Sequence, residues 1–384
     1  MAGPDVVIVG GGPAGACAGL VLARAGARGR ILDRATFPRD KLCGDTVNPG
    51  ALARLRALGV ADEIEARGLR VDGMMLTGER GVAVEGRYPH GVSGRAMLRR
   101  DLDWILLQHA VGAGCGLEEG AVVRRPLTGD ARGLRHVTGV AVTVGSREVA
   151  LAAPIVIAAD GRHSTLSFGL GLARHPPRPR RWAIGAYFEN FASAATLGEM
   201  HVRRRRYIGV APVPGGLTNV CVVRPSGPAD PELADPRALL ARELARDPVL
   251  RDRAAGARLA TPPVVLGPLA VDALPLTIDG LLLAGDAAGF IDPMTGDGLR
   301  FAIRGGELAA SAALDVLAHG WDGAHARLAA ARHGEFAGKW RFNRTLRALV
   351  GSAHALDAAT IGARVVPAVF RAVIAHAGDC NAAC

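Results

Sequence analysis

Apolar runs at the start of the chain alternate with a pattern typical of a helix. Residues 5–9 form a short apolar run that predicts a buried strand, and residues 18–25 place alanine and leucine at helical spacing. A second apolar run ends at residues 31–33. A strand, a helix and a second strand in this order predict an α/β unit built on a parallel sheet.

Two later apolar runs end in an acidic residue beside a glycine. Residues 155–159 lead into Asp160, and residues 281–284 lead into Gly285 and Asp286. A helical stripe then runs from Leu299 to Leu317. These runs predict two further strands of the same sheet, the second of them leading into a helix.

The segments between these units predict one helix and several antiparallel strands. Residues 98–111 have helical periodicity, and residues 120–152 contain three short strands of a meander. Residues 71–89 and 180–225 alternate in the pattern of antiparallel strands, with a turn expected at residues 214–216. The chain therefore predicts two sheets of different type.

The resulting fold class is α/β: a Rossmann-like domain interleaved with an antiparallel β-sheet domain, plus C-terminal helices. The wide apolar faces of those helices predict packing on the Rossmann-like domain or, alternatively, a membrane-surface or dimer face. The predicted boundaries are residues 1–68, 93–173 and 271–320 for the Rossmann-like domain, residues 69–92 and 174–270 for the β-sheet domain, and residues 321–384 for the C-terminal helices.

The glycine spacing after the first strand carries specific chemistry. Gly10 allows a tight turn, Gly12 lets the backbone approach a pyrophosphate, and Gly15 lets helix and strand pack closely. The helix that follows offers unpaired N–H groups to phosphates. Asp33, at the end of the second strand, is placed to bind the hydroxyls of an adenosine ribose. This unit predicts dinucleotide binding.

Composition and charge narrow the function classes. The chain has 384 residues, 49% of them hydrophobic, which favours two folded domains over disorder. The N-terminus lacks the basic region of a signal peptide, and no long uncharged apolar run predicts a membrane span. The net charge of +10 comes without a nucleic-acid motif, so we expect no nucleic-acid partner. The six cysteines lack metal-ligand spacing, which favours free thiols, no metal site and a cytoplasmic location.

Five motifs in order carry a family resemblance: GGGPAG, PRDKLCGD, the helix start at Arg99, AADGRHS and AGDAAGFIDPMTGDGL. Over residues 1–320 the chain resembles the FAD-dependent oxidoreductases of the p-hydroxybenzoate hydroxylase fold, and among them the geranylgeranyl reductase-like branch. This resemblance implies noncovalently bound FAD. It also implies FAD contacts from Gly10, Gly12, Ala14, Gly15, Asp33, Arg34, Lys41, Cys43, Gly44, Arg99, Val123, Asp160, Gly285, Asp286, Gly296, Gly298 and Leu299.

Some of these residues also have simpler interpretations. Asp286 alternatively caps a helix, Arg99 is one of many arginines, and Val123 suits a strand core. The motif around Asp160 often ends in an arginine where this chain has Ser167. That departure weakens the case for direct NAD(P)H binding, so NAD(P)H and a separate reductase both remain as electron donors.

The resemblance places the organic substrate beside Tyr207, Gly209, Ala211 and Pro293. Relatives that reduce lipids or halogenate carry large aromatics in this segment. The small residues here count against halogenation and polyprenyl reduction and favour a bulky or carrier-bound substrate. The predicted reaction is hydroxylation by a monooxygenase. The alternatives are a C=C reductase of the geranylgeranyl reductase type and a non-enzymatic binding protein.

Other residues suggest chemistry less specifically. Residues 203–206 are four arginines, which predict an exposed sheet edge protected by charge or, alternatively, a docking site for an acidic carrier. Cys43 lacks a second cysteine at the spacing of a redox pair. His163 and His201 are candidate acid–base groups, although a lone histidine is more often structural.

Overall fold

The computed structural model describes residues 3–79, 82–131, 133–177, 180–194, 196–292, 294, 296–350, 362 and 367–380. Pro293, one of the predicted substrate residues, lies outside these ranges, as do parts of the predicted C-terminal helices.

The strands begin with the predicted first strand and end with the strand before Gly285. They are, in chain order, β1 (Val6–Val9), β2 (Gly29–Asp33), β3 (Thr46–Val47), β4 (Leu69–Val71), β5 (Gly73–Thr77), β6 (Ala83–Arg87), β7 (Gly94–Ala96), β8 (Gly116–Glu119), β9 (Ala121–Ala131), β10 (Leu134–Val144), β11 (Arg147–Ala152), β12 (Ile155–Ala158), β13 (Ala173–Arg174), β14 (Arg181–Glu189), β15 (Leu197–Arg203), β16 (Arg206–Val213), β17 (Leu217–Pro225), β18 (Arg258–Leu259), β19 (Val264–Leu266), β20 (Asp272–Ala273) and β21 (Leu281–Leu283).

The helices follow the predicted order. They are α1 (Pro13–Arg24), α2 (Pro49–Ala57), α3 (Ala61–Arg67), α4 (Arg99–Gly112), α5 (Thr165–Gly169), α6 (Pro236–Ala245), α7 (Leu250–Ala254), α8 (Gly298–His319), α9 (Ala324–Val350) and α10 (Pro367–Ala377), with short 3-10 turns at Pro231–Ala234 and Gly285–Ala288.

A parallel sheet of strand order β21-β12-β1-β2-β8 forms the centre of the Rossmann-like domain. Alternate residues of its strands point to opposite faces, as β geometry requires. Ile8 and Ile157 pack among the helices α1, α4 and α8, whereas Val7 and Val156 pack against the antiparallel meander of β9, β10 and β11. The sheet is thus buried on both faces, which explains its nearly continuous apolar strands.

The second sheet contains the strands that were predicted to alternate. Its order is β18-β14-β17-β16-β15-β5-β6, with β19 paired beside β14. The strand pairs are antiparallel except β15 with β5. The turn predicted at residues 214–216 joins β16 to β17, and Gly215 and Gly216 supply positive φ angles there. One face packs on α6 and α7 through residues such as Val220 and Leu240, which leaves the other face for the Rossmann-like domain.

The fold class predicted from the sequence is confirmed: an α/β domain with a parallel sheet is interleaved with an antiparallel sheet, and helices follow. The helix α9 packs on α8 of the Rossmann-like domain, as expected. The helix α10 instead packs on β6, where Phe370 and Ile374 are buried against Val84 and Tyr88. In the described part of the chain, no helix has the length and apolar character needed to cross a bilayer.

The prediction of an exposed arginine edge at residues 203–206 is wrong. Both β15 and β16 lie inside the second sheet, and Arg204 and Arg205 form the tight turn between them. Arg206 forms an ion pair with Glu243 at 2.8 Å. Arg203 is almost completely buried. A run of identical residues has no periodicity, so a turn inside it cannot be distinguished from a continuous strand.

The buried Arg203 forms a two-point ion pair with Asp247, at 2.7 and 2.9 Å. Its remaining nitrogen donates to carbonyl oxygens that include those of Thr77 and Gly78. Asp247 also accepts from the N–H of Leu250 in the first turn of α7. Burial opposes the charge on Asp247, yet the hydrogen bonds from Arg203 hold its pKa below the usual value. This pair ties β15 to α7.

We predict that Arg203→Met lowers the free energy of unfolding by about 3–5 kcal/mol, because it leaves the Asp247 carboxylate buried without its cation. The exposed neighbour provides a matched control: Arg204→Met should change stability by less than about 0.5 kcal/mol. Urea unfolding followed by tryptophan fluorescence measures both. Equal unfolding midpoints for the two variants would show that the buried pair does not stabilise the fold.

Candidate functional site

The carboxyl ends of the parallel strands converge on one edge of the sheet. β1 leads to Gly10, β12 to Asp160 and β21 to Gly285 and Asp286. Because β12 lies between β1 and β21, these three loops are neighbours. Ligands of open α/β sheets bind outside the carboxyl ends of the strands, so this edge is the candidate cofactor site.

The first loop needs its glycines for close packing. Gly10 has a φ of +102°, and an added Cβ would lie 2.5 Å from the carbonyl oxygen of Ala159. A Cβ on Gly15 would lie 1.8 Å from the oxygen of Gly10. At Gly12 the nearest atom would be Arg39 Nη2, at 3.6 Å, so that side of the loop is open. The loop can therefore receive a ligand at Gly12, while the other two glycines hold helix and strand together.

Asp33 braces this loop from the end of β2. Its Oδ2 accepts a 2.7 Å hydrogen bond from the N–H of Gly11, and its Oδ1 accepts from the N–H of Ala35 at 2.8 Å. Asp33 is half-buried, and each oxygen has a second lone pair free for a ligand hydroxyl. Arg34, next in the chain, is exposed. Asp33 therefore shapes the loop and remains placed for the predicted ribose contact.

Six arginines of the described structure have a buried nitrogen without a hydrogen-bond partner, and two of them, Arg39 and Arg162, lie in the loops at this edge although the sequence did not predict them as site residues. Arg39 Nη1 and Arg162 Nε have no hydrogen-bond partner among the described residues. Arg39 Nη2 pairs with Asp103 at 3.0 Å, and burial lowers the pKa of Arg162. Arg39 belongs to the motif PRDKLCGD and Arg162 to the motif AADGRHS, and this membership was the sequence feature that could have identified them. Arg39, beside the open Gly12, fits a pyrophosphate, and Arg162 offers a second cationic donor near Asp286.

Asp286 lies in the 3-10 turn after β21. The turn is capped at Ala284 without a side-chain bond, so the alternative that Asp286 caps a helix does not hold. Burial raises the pKa of Asp286, and the nearby charges of Lys41, Arg162 and Arg99 oppose that rise. Lys41 itself is exposed. The carboxyl group is thus half-buried among cations, at the edge where the cofactor is expected.

The helix α8 begins at this edge and packs closely on α1. A Cβ on Gly306 would lie 2.2 Å from the oxygen of Ala14, and one on Gly285 would lie 3.0 Å from the Cβ of Ala14. Gly296, with a φ of +70°, would place an added Cβ in open space before the helix. Gly298 is the first residue of the helix, and Leu299 is buried behind it. The side chain of the N-cap residue, Asp297, makes no capping hydrogen bond to the backbone N–H groups of the first turn.

A buried network supports the start of α8. Asp297 accepts from Asn48 Nδ2 at 3.2 Å and from Lys339 Nζ at 3.1 Å. Lys339 also donates to the carbonyl oxygens of His376 and Ala377 at 2.5 and 2.9 Å. The C-terminal helices therefore fix the loop that precedes α8.

The remaining predicted cofactor residues occupy different positions. Arg99 is buried and forms a two-point ion pair with Asp103, at 2.7 and 2.8 Å. Burial opposes the charge on Arg99, but Asp103 keeps its pKa above the usual value. Cys43, a free cysteine next to the exposed Gly44, lies close enough to Arg99 to help raise that pKa. Val123 is buried in the core between the meander and the parallel sheet.

Asp160 is only partly satisfied. Its Oδ2 accepts from the N–H of Thr165 at 2.8 Å, while its Oδ1 is buried without a partner in the described structure. Burial raises its pKa, although hydrogen bonds from Ser164 and nearby backbone oppose the rise. Ser167, which stands where relatives often have an arginine, is buried and donates to the carbonyl oxygen of Ala287 at 3.0 Å. At this position the chain therefore has a buried hydrogen bond in place of an arginine side chain.

The predicted substrate residues that the structure describes share one face of the second sheet. Tyr207, Gly209 and Ala211 alternate along β16 with Ile208 and Val210, which pack on the outer helices. The Tyr207 face is therefore turned toward the Rossmann-like domain. An added Cβ on Gly209 would have the oxygen of Cys221 as its nearest neighbour, at 4.0 Å, so space lies in front of it.

Tyr207 connects this face to the loop before α8. Its hydroxyl donates to Asp292 Oδ1 at 2.6 Å, and Arg181 pairs with Asp292 Oδ2 at 3.1 Å. Burial and the neighbouring Asp292 raise the pKa of Tyr207 well above its usual value. Tyr207 is therefore a neutral hydrogen-bond donor that fixes the loop against the sheet.

A second aspartate–tyrosine pair, which was not predicted from the sequence, joins the domains. Asp45, in the PRDKLCGD motif, is completely buried and has a φ of 52°. Its Oδ2 accepts from Tyr187 Oη at 2.7 Å and from Asn219 Nδ2. The motif contained this aspartate, but only the fold reveals its partners on β14 and β17.

The two candidate histidines differ. His201 is completely buried between Thr77 Oγ1, at 2.8 Å, and Glu199 Oε2, at 3.0 Å, which makes it structural. His163 is exposed and lies edge-on to His175, with ring centroids 5.4 Å apart. Neither lies on the inner face of the second sheet. Within the described ranges, no cluster of His, Cys, Asp or Glu is arranged to hold a metal ion.

Comparisons with known proteins agree with this geometry. The family model described as FAD binding domain matches residues 4–325. The chain is 31% identical to menaquinone reductase of Mycobacterium tuberculosis over 325 residues, covering 80% of this chain and 75% of that protein. It is 30% identical to digeranylgeranylglycerophospholipid reductase 1 of Methanopyrus kandleri over 338 residues, covering 82% and 81%.

A solved structure extends the likeness to the whole fold. The myxobacterial chondrochloren halogenase superposes with a TM-score of 0.82 at 20% identity, over 97% of this chain and 91% of that one. At this identity the superposition supports the fold alone. Since the family model spans most of the sequence, the chain belongs to the FAD binding domain family and is an FAD-dependent oxidoreductase of the geranylgeranyl reductase-like branch that its motifs predicted.

Proposed function

We propose that FAD lies along the carboxyl edge of the parallel sheet and that the enzyme uses it to reduce a carbon–carbon double bond in an isoprenoid compound. The pyrophosphate suits the open loop at Gly12, the start of α1, and the unpartnered nitrogens of Arg39 and Arg162. Asp33 suits the adenosine ribose. Asp286 is placed to accept a hydrogen bond from the part of FAD that lies near the loop before α8.

The flavin ring suits the space in front of Gly296, where an added Cβ would meet no described atom within 4 Å, whereas the ring of Phe290 lies 3.7 Å from a Cβ on Gly298. The N–H groups at the start of α8 stabilise negative charge there, and reduction places negative charge on a flavin. When bound in its reduced form, FAD would supply a hydride, that is, two electrons and one proton. The protein's contribution is to orient the substrate, to exclude water and to provide a proton.

The choice of reduction rests on one observation. Two relatives of at least 30% identity, each matched over three quarters of its length or more, are reductases of isoprenoid compounds. From the sequence alone, the small residues at Gly209 and Ala211 count against a polyprenyl substrate. An added Cβ on Gly209 would have no atom closer than 4.0 Å, which supports a substrate chain passing this face of the sheet. The two reductase relatives therefore count for more than the absence of large aromatic residues at Gly209 and Ala211.

Hydroxylation is the second candidate, since the same space suits the bulky or carrier-bound substrate expected of a monooxygenase. It uses the same cofactor site and the same sheet face. It differs in consuming O2 and in adding an oxygen atom to the product.

Product mass tests the proposed reaction. We predict that dithionite-reduced enzyme, kept anaerobic, adds the mass of two hydrogens to menaquinone or to digeranylgeranylglycerophospholipid. For menaquinone the gain should survive reoxidation of the ring in air, because a saturated side-chain bond does not reoxidise. Mass spectrometry of the extracts measures this. A product heavier by one oxygen atom, formed only with O2, would replace reduction with hydroxylation.

Asp286 tests the cofactor site. A hydrogen bond to a charged group contributes about 1.5–3 kcal/mol, so we predict that Asp286→Ala weakens FAD binding at least about tenfold. Fluorescence titration of apoprotein with FAD measures the dissociation constant. Asp252→Ala, an exposed aspartate on α7, is the control and should bind FAD like the wild type. Unchanged affinity of the Asp286 variant would remove this carboxylate from the cofactor site.

Gly209 tests the substrate space. We predict that Gly209→Trp keeps its flavin and folds, because its Cβ would have no atom closer than 4.0 Å and aromatics suit strands. It should lose most turnover of whichever probe the wild type accepts. Gly112→Trp, at an exposed glycine with no neighbour near its Cβ, is the control. Full activity of the Gly209 variant would show that β16 does not line the substrate space.

A further inference from the structure

Asp45 is held in an unusual environment at the junction of the two domains. It has a positive φ of 52°, a conformation that aspartate tolerates better than most residues. Its own carbonyl oxygen accepts from the N–H of Met97 at 2.8 Å, which fixes the backbone. The side chain is completely buried, in contact with two strands of the second sheet. A strained, buried carboxyl group at such a place suggests a role in the site.

The two oxygens of Asp45 have unequal surroundings. Oδ2 accepts from Tyr187 and Asn219, whereas Oδ1 is buried with no hydrogen-bond partner among the described residues. In the charged form, part of the negative charge would therefore sit on an oxygen without a well-aligned hydrogen-bond donor, although the backbone N–H of Arg99 lies close enough to oppose the rise in pKa. Such a charge is costly in a low-dielectric interior. The geometry thus favours a neutral Asp45 that carries a proton.

The groups around Asp45 shift its pKa in opposite directions. Burial raises its pKa to about 7, while the hydrogen bonds from Tyr187 and Asn219 and the charge of Arg99 oppose that rise. The other titratable groups facing it are the thiols of Cys43 and Cys221. Burial raises the pKa of Cys221 to about 12, so that thiol stays neutral. Asp45 is the member of this cluster that exchanges a proton near neutral pH.

Tyr187 connects the buried acid to the inner face of the sheet. It is half-buried, whereas Asp45 is not exposed at all. Strand register places Tyr187, Asn219 and Ala211 directly opposite one another on β14, β17 and β16. The neighbouring row contains Cys221 and Gly209, where the space for substrate lies. The Tyr187 hydroxyl is therefore the link between the buried acid and the proposed substrate face.

We propose that Tyr187 delivers the proton that completes reduction of the double bond and that Asp45 stores and replaces it. This inference rests on the proposed function. One carbon of the double bond gains the hydride that the reduced cofactor supplies, and the other gains the proton of Tyr187. Asp45 is a positioning and proton-storing residue, since it acts through Tyr187.

A single hydrogen bond that reverses direction accounts for the transfer. When Asp45 is neutral, its Oδ2–H donates to Tyr187 Oη, which turns the tyrosine hydrogen toward the substrate. As Tyr187 gives up that hydrogen, it takes the proton of Asp45. Asp45 is left as a carboxylate that accepts from Tyr187, and it then regains a proton from solvent. The 2.7 Å distance between the two oxygens suits both directions.

The sign of the pH dependence follows from this scheme. Asp45 has a raised pKa, so its proton is present at lower pH and is lost as pH rises through about 7. We expect the rate of product formation in single turnovers of reduced enzyme with menaquinone to fall over that range. Asp45→Asn cannot store a proton, so it should lose this pH dependence and react on the order of a hundredfold more slowly.

Infrared spectroscopy tests the stored proton without any turnover. Wild-type holoenzyme should show the carbonyl band of a neutral buried carboxyl group that disappears with a midpoint near pH 7, and Asp45→Asn should lack it. Tyr187→Phe should move the midpoint upward, because it removes a donor that stabilises the carboxylate. Tyr88→Phe, at a buried tyrosine packed against α10, is the matched control and should change neither the midpoint nor the rate.

The outcomes separate this inference from the proposed function. An infrared transition that persists in Asp45→Asn, or a pH profile of that variant equal to the wild type, would overturn the role of Asp45. Full activity of Tyr187→Phe would overturn the relay. If the wild type reduces neither probe while the transition follows Asp45 and shifts in Tyr187→Phe, the proton store stands and the proposed reaction fails.

Discussion

The close approach of α1 and α8 is the constraint on which the cofactor site depends. A Cβ at Gly306 would meet the backbone oxygen of Ala14 at 2.2 Å, and a Cβ at Gly15 would meet the oxygen of Gly10 at 1.8 Å. Only glycine allows the helices and β1 to lie this close together. The start of α1 and the loop around Asp286 thus become neighbours, and both present their polar groups to the same edge of the sheet. Without this contact, the motifs would be present in the sequence but separated in space.

Two carboxylate–tyrosine pairs then set the second domain against the first. Tyr187 bonds Asp45 near one end of the inner sheet face, and Tyr207 bonds Asp292 near the loop before α8. The tyrosines stand on strands separated by β17, so strand register fixes the distance between the two attachments. Gly209 lies on the same face. The space in front of it is therefore bounded by hydrogen bonds that are strong because they are buried.

The sequence predicted most of the fold because the governing signals are periodic and local. Apolar runs located the parallel strands, and glycine spacing located the loop at Gly10. The arginine run at residues 203–206 was misjudged because its decisive partner, Asp247, lies more than forty residues further along the chain. Arg39 and Arg162 were passed over because arginine is so common here that identity alone carries little information. Their unpartnered nitrogens become visible only when the neighbouring atoms are placed.

The buried aspartates of this arginine-rich chain differ in their partners and in the direction of their pKa shifts. Asp247 is buried, yet its two-point pair with Arg203 holds its pKa below the usual value. Asp45 and Asp160 are bonded instead by hydroxyls, amides or backbone, each keeps an unpartnered oxygen, and burial raises the pKa of both. Asp286 has cations nearby, but burial still dominates its pKa. In the described structure, the aspartates proposed for the site, Asp45, Asp160 and Asp286, thus lack the two-point arginine pair that Asp247 has. Perturbed and unsatisfied acids of this kind cluster where proteins bind and react. The pairing of these aspartates, not the total charge of +10, therefore distinguishes the proposed site from the structural ion pair at Asp247.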